Sequence, residues 1–372
     1  MNASPRTIPT LPRPVVALAP ARRATLWRRC GATALLSAGI VVVILLSAST
    51  GPLTTSLSDA AKIISGHFLP GMVWMQDGTI SVSQDQAVWN FRLPRTLLAG
   101  IAGASLALAG ALLQTNVRNP LAEPYILGVS AGAGVGAVLA IVSGSTAVAG
   151  LGLNAAAFVG AAGATVLVYL LARQGGVIAP SRLILAGVAL GSLLAAITNF
   201  LTITTEAQNV YSVLFFLLGS VSAASYPQLI LPGIALAGVG LYAMLRSRAL
   251  NAMLAGDETA IALGVNVTSM RRTLLLATAL LTATTVAVCG GIGFVGLVVP
   301  HAVRMIVGSD HRRMLPLVIL GGALFLMITD LLARTVAQPA EIPLGILTAA
   351  VGAPFFLWLM RSSGARAAGV DR

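Results

Sequence analysis

Charge is scarce in this sequence. Of its 372 residues only 9% are Asp, Glu, Lys or Arg and 57% are hydrophobic, a balance that excludes an ordinary soluble domain of this length. Cysteine is nearly absent: Cys30 and Cys289 both lie in or beside apolar runs, so neither a disulfide framework nor a cysteine metal site is indicated. The three histidines, His67, His301 and His311, are far apart, and no triad, metal-ligand cluster or carboxylate pair appears; no catalytic or metal-binding residue is assigned, and an intramembrane enzyme is disfavoured. His67 is weighed as a haem ligand against an external surface residue, and His301 reads as a packing or hydrogen-bonding residue. The net charge of +12 does not indicate a nucleic-acid partner, because the basic residues are scattered through short segments without interleaved aromatics.

What is present is run after run of apolar residues about 20 long, the length that crosses a hydrocarbon core of roughly 30 Å. We expect an all-α polytopic membrane protein of about ten transmembrane helices, at 30–49, 94–114, 124–142, 151–172 and 183–201, then 226–245, 273–289, 292–307, 315–333 and 342–360. Residues 1–29, with six arginines and no acid, read as a disordered cytoplasmic tail, residues 30–361 as the ten-span domain and 362–372 as a second cytoplasmic tail. A cleavable signal peptide is the rival reading of 30–49, disfavoured by the long charged leader and a run long enough to span. With both termini cytoplasmic, 19 of the 23 basic residues face the cytoplasm and only Lys62, Arg92, Arg95 and Arg334 lie outside, as the positive-inside rule requires. The eighth span is the weakest: Gly290, Gly291, Gly293 and Gly296 precede Pro300, a pattern of short, broken or re-entrant helices.

Lys62 is the only lysine, and a P-loop needs one to reach the phosphates. ATP hydrolysis, if it drives this protein, must come from a separate subunit. An ion-coupled secondary transporter is the rival class, disfavoured because no acid sits clearly mid-span; Glu123, Asp330 and Glu341 fall near span ends as caps or ion-pair partners, Asp330 with Arg334 at an i, i+4 spacing.

Three segments outside the spans stand out. Residues 57–68 form a short amphipathic helix at the interface, 209–222 a helix lying at the external mouth, and 246–272 a cytoplasmic loop with two short helices separated by Gly256 and closed by Gly264. Ala260, Ile261 and Leu263 on that loop suit the groove of a soluble partner. Gly132 with Gly136, and Gly187 with Gly191, read as close helix packing ahead of pore lining. Ala122-Glu123-Pro124 before Leu127-Gly128 is echoed by Ala340-Glu341-Ile342-Pro343 before Leu344-Gly345, each an acid and a proline opening a helix. The echo, on opposite faces of the membrane, fits two inverted repeats of five helices.

These residues together resemble the permeases of type II ATP-binding-cassette importers for iron siderophores, haem and cobalamin. The resemblance rests on Arg92-Leu93-Pro94-Arg95, Asn119 to Pro124 leading into Leu127-Gly128-Val129-Ser130, and Gly256-Asp257-Glu258 through Leu263-Gly264-Val265. Gly293-Phe294-Val295-Gly296-Leu297 with Pro300-His301, and Glu341 to Gly345, complete it. It implies a bacterial inner-membrane subunit that pairs with a second permease, an identical copy or a paralogue, two cytoplasmic ATPases that bind the ATP and Mg, and an external substrate-binding protein. No cofactor is implied on this chain. It further implies that Arg92, Arg95 and Arg334 receive acidic residues of the binding protein, and that Gly256, Asp257, Glu258, Ala260, Ile261, Leu263 and Gly264 couple to the ATPase. Asn119, Leu121 and Ser181 would form the cytoplasmic gate, where Pro180 departs from the hydroxyl residue beside that serine in some relatives. A ferric siderophore is the first cargo on family frequency, with haem and cobalamin as alternatives. Transport would proceed by alternating access.

Overall fold

The computed structural model describes residues 19–69, 71–75, 77–144, 152–174, 177–178 and 180–367. Among the described residues the regular secondary structure is helical apart from a two-residue antiparallel pairing of Arg173–Gln174 with Val177–Ile178. Helix α1 is Ala19–Ser49, α2 Leu57–Phe68 and α3 Val82–Gln86; α3 runs through a π-turn at Ala87–Arg92 into α4, Leu93–Val117. Helices α5 (Val129–Val142), α6 (Leu153–Ala172) and α7 (Pro180–Thr204) follow. The second half holds α8 (Ala207–Leu218), α9 (Tyr226–Leu245), α10 (Ser247–Leu254), α11 (Asp257–Ala262), α12 (Val267–Cys289), α13 (Val295–Val307), α14 (His311–Ala333) and α15 (Leu344–Ala367).

Seven helices are long and apolar enough to cross a membrane, and α5, α8, α13 and α15 are shorter apolar helices; the seven with α5, α13 and α15 fall on the ten expected spans, and α8 on the helix expected at the external mouth. Five of these ten end by residue 204 and five begin at 226 or later. Five crossings leave a chain on the opposite face, so the second half starts with inverted polarity. Helix α1 begins at Ala19, ahead of the expected start of the first span; the tail's residues 1–18, like 368–372 at the other end, lie outside the described residues.

The core is built on α4. Of the most apolar window of 82–117, 89% is buried, against 17% for that of α7, so α4 is the central strut and α7 a flank with its apolar surface open. Small residues let neighbours approach α4 at backbone distance. A Cβ on Gly103 would strike the carbonyl of Gly322 in α14, and one on Gly110 that of Gly296 at the start of α13. Polar capping sets the helix starts. Asn266 accepts the Ser269 N–H at 3.0 Å to open α12, and Ser225 with Gln228 forms a capping box at α9.

Two expected spans are shortened. The third is a 3₁₀ turn, Pro124–Leu127, and then α5, because Gly128 takes φ +69° and breaks the helix. In the eighth, 290–294 is irregular and α13 starts only at Val295. Irregular backbone within a bundle must find its partners in protein, and it does. Gly291 N–H donates to Phe216 O at 3.3 Å, Ser220 N–H to Cys289 O at 2.8 Å, Leu344 N–H to Gly219 O at 2.9 Å, and Phe294 N–H to the Glu123 carboxylate.

That last bond corrects the capping role expected of Glu123. Its side chain makes no bond at the turn that it opens, because Phe294, at φ +68°, turns its N–H toward it. Glu341 likewise does not cap α15, which starts three residues later; it pairs with Arg95. The two glycine pairs also differ from one another. Gly132 and Gly136 face the backbone of α6 at Gly160 and Ala156, whereas Gly187 and Gly191 line a cavity of about 580 Å³ beside Ser130, Ser192 and Thr198.

Candidate functional site

Three arginines meet at the end of the bundle where α4 begins. Arg92 is buried, and its guanidinium donates to Ala48 O at 2.8 Å, Leu53 O and Thr55 Oγ1. Arg95 lies 2.9 Å from Asp330 and 2.8 Å from Glu341. Arg334 approaches Asp330 at 3.7 Å and donates to Ser47. Asp330 therefore has a nearer partner on α4 than the i, i+4 arginine of its own helix. All three guanidiniums are largely withdrawn from solvent, with side-chain exposures of 11% for Arg95 and 9% for Arg334. They line one cavity of about 550 Å³ with Pro52, Phe91 and Glu341. Three cations against two carboxylates leave this lip with an excess positive charge.

Beside the lip, His67 stacks on Trp89 at 4.0 Å between ring centroids, and its Nε2 meets Asp85 Oδ1 at 2.8 Å. A larger cavity, about 700 Å³, is lined by Tyr211, Phe215, Ser220, Gln228, the buried Cys289 and Glu341. His301 packs edge-on to Phe355 with centroids 6.0 Å apart.

At the opposite end, the segment joining α9 to α12 carries α10 and α11. Gly256, at φ +117°, makes the reversal between them. Gly264, at φ +78°, ends α11 in a Schellman pattern, Val265 N–H donating to Ala260 O at 2.9 Å. Ile261 and Leu263 are 63% and 68% exposed, while Ala260 is fully buried in the main core. Ala260 is thus not available to a partner: on this short helix it faces the core, and the apolar face offered outward is Ile261 and Leu263. Asp257 turns inward too, to Arg271 at 2.9 Å and Arg118 at 3.4 Å. Glu258 follows Asp257 in the first turn of α11.

The turn after α4 reverses at Arg118, φ +51°, and is closed by Leu121 N–H donating to Asn119 Oδ1 at 2.9 Å. Leu121 is exposed, as is Ser181 in the first turn of α7. Asn119 and Leu121 thus share one turn; among the described residues no hydrogen bond joins Ser181 to it.

A polar network unforeseen in the sequence ties these parts together. The Asn251 side chain, on α10, donates to Asp310 at 2.7 Å and accepts from the His311 backbone N–H at 2.9 Å and from the ring Nδ1 at 2.8 Å. His311 Nε2 lies 2.8 Å from Thr115 Oγ1 on α4. His311 is therefore a buried junction of three helices. Burial acts to raise the Asp310 carboxyl, but hydrogen bonds from Asn251 and the Arg312 N–H, with the Arg313 and Arg312 guanidiniums nearby, outweigh it and hold the group below the usual carboxylate range. Next to this, Gln114 donates to Gly296 O at 3.1 Å and accepts from Arg304 at 2.7 Å. Long-range pairs of this kind leave no local spacing to read.

Residues 39–362 match the model of the FecCD transport family. The cobalamin import system permease protein BtuC of Halobacterium salinarum is 40% identical over 334 residues, 87% of each chain. The hemin transport system permease protein HmuU of Yersinia pestis is 41% identical over 288 residues, covering 75% of this chain and 86% of its own. A solved inward-facing structure, described as a metal-chelate type ABC transporter, superposes with a TM-score of 0.75 at 31% identity and covers 89% of this chain and 98% of its own. A ten-span helical bundle, a charged lip at one end, a two-helix loop at the other and a match across most of the chain have one meaning: this protein belongs to the FecCD transport family and is a multi-pass permease of an ATP-binding-cassette importer.

Proposed function

We propose that this permease carries a bulky chelated metal complex, a ferric siderophore first, inward across a bacterial inner membrane by alternating access, with haem and cobalamin as the alternative cargoes. The relatives named for hemin transport and cobalamin import support a cargo of this size and class. Small residues lining the cavity at Gly187 and Gly191, and no cage of oxygen ligands among the described residues, suit chelated cargo better than a bare ion.

The observation that carries the reading is the exposed pair Ile261 and Leu263 on a loop otherwise latched to the body. An apolar face held rigidly outside a membrane bundle is a docking surface. We assign it to one of two cytoplasmic ATPase subunits, which supply ATP and Mg, with Gly256 and Gly264 setting the angle of the helix and Asp257 locking it to α12. Both termini are then cytoplasmic and the arginine lip faces outward. Its excess positive charge favours the acidic surface of a substrate-binding protein, and Arg92, Arg95 and Arg334 orient that docking more than they strengthen it. The turn of Asn119 and Leu121, with Ser181, closes the inner mouth. The open apolar flank of α7 is the natural face for a second permease, a copy of this chain.

The test of cargo is uptake into proteoliposomes holding the permease and its ATPase, with binding protein loaded in turn with ferric siderophore, haem or cobalamin. Uptake of the ferric siderophore alone is expected. Accumulation of haem or cobalamin instead would replace the first cargo with that alternative, and accumulation of bare metal ion alone would overturn the chelate class.

A further inference from the structure

The loop end of the bundle contains a small cavity, about 220 Å³, between the end of α4, the end of α13 and the start of α14, with Leu254 of α10 on its rim. Its lining is rich in donors and holds no carboxylate: Arg118, Asn119, Arg304 and Ser309 contribute, beside the His311 and Thr115 pair already engaged with one another. Arg304 is the telling member. It is partly buried, and its one hydrogen-bond partner among the described residues is the amide oxygen of Gln114; no acid lies within ion-pair distance. Of the nearby acids, Asp257 is held by Arg271, with Arg118 more loosely at 3.4 Å, and Asp310 by Asn251 and Arg313. Neither lines the cavity. A guanidinium drawn out of water with only a neutral partner is undercompensated, and its planar fork matches phosphate oxygens.

We infer that this cavity is an anion site that takes a phosphate group, held by Arg304 and Arg118 with Asn119 and Ser309. Two sources offer that chemistry, the headgroup of an anionic phospholipid and free phosphate. The lipid fits the surroundings: Met305 and Ile306, next to Arg304 on α13, are 55% and 64% exposed and offer apolar surface to an acyl chain. Basic pockets between spans on the cytoplasmic side are where such headgroups bind. A bound phosphate would tie the gate turn at Asn119 to α10, α13 and α14, and so bias the inner mouth toward one of its two arrangements. Placing the site on the cytoplasmic side rests on the orientation proposed above. Binding does not rest on transport, so failure of either idea leaves the other standing.

The test is native mass spectrometry of the full chain in detergent, titrated with phosphatidylglycerol or phosphatidylcholine, with inorganic phosphate as competitor. The wild type should hold one phosphatidylglycerol about tenfold or more tightly than Arg304→Gln, the scale of a charge-assisted hydrogen bond, with Arg304→Lys in between. Resistance to millimolar phosphate assigns the lipid; displacement by it assigns the free anion. Equal binding by wild type and Arg304→Gln, or no preference over phosphatidylcholine together with no effect of phosphate, overturns the site. So does an Arg304→Gln defect confined to association with the ATPase, which would make the partner an acid of that subunit. If Arg304→Gln does not stay monodisperse, Ser309→Asp places a carboxylate on the exposed rim and should lower binding by the same factor; unchanged binding there also overturns the proposal.

Discussion

Arg95 on α4 and Asp330 on α14 face each other at 2.9 Å, with the carboxylate side chain only 1% exposed. This pair, separated by 235 residues in sequence, joins the two halves of the chain at the charged lip. A buried acid stripped of its nearest partner is worse than no acid at all. Arg95→Ala should therefore cost about 3–5 kcal/mol of stability, and adding Asp330→Asn should recover much of it, read as thermal unfolding of the detergent-solubilised chain. Additive losses in the double variant would contradict a coupled pair.

Close approach and cavity lining make opposite predictions for glycine. Gly110→Ala drives a methyl into the carbonyl of Gly296 and should destabilise by about 1–3 kcal/mol. Gly191→Ala meets nothing nearer than the Gly128 Cα at 4.0 Å and should be close to neutral. Comparing the two midpoints checks both readings at once.

The loop between α9 and α12 separates fold from coupling. Ile261→Asp and Leu263→Asp change exposed positions and should leave the bundle stable while weakening ATPase association by about 2 kcal/mol, about 30-fold, the scale of an interface anchor. Ala260→Asp, at a fully buried position, should instead unfold the loop or the bundle. Pull-down of the ATPase, beside a melting curve for each variant, distinguishes these outcomes.

Asp310 predicts an acid sensitivity. Because its folded pKa is held below the ordinary range, its contribution is present above the unfolded value of about 3.9 and is lost as pH falls through the folded one. Asp310→Asn should lower stability at neutral pH and flatten the decline below about pH 5. A parallel shift of the whole profile, with no change in slope, would exclude this carboxylate as the titrating group.

Much of this architecture was legible before any coordinates. Apolar runs marked ten spans because a bilayer demands length, and Gly256 and Gly264 marked the loop because positive φ favours glycine. Gly290 to Pro300 signalled a broken span. What could not be read were pairs brought together only by packing, as when Glu123 receives the Phe294 N–H and His311 joins Asn251 to Thr115. Burial also escaped the pattern. Arg92 reads as an external basic residue, yet it is wrapped by the backbone at Ala48 and Leu53; Ala260 and Ile261 are neighbours, yet only one faces outward.

The most direct measurement of the central claim is uptake of binding-protein-delivered chelate into proteoliposomes, with and without ATP at the ATPase side, and with an imposed proton or sodium gradient in its place. An ATP-driven importer predicts accumulation that needs ATP and ATPase, ignores both gradients, and fails in Leu263→Asp. Accumulation driven by either gradient without ATPase would contradict it and restore the ion-coupled reading.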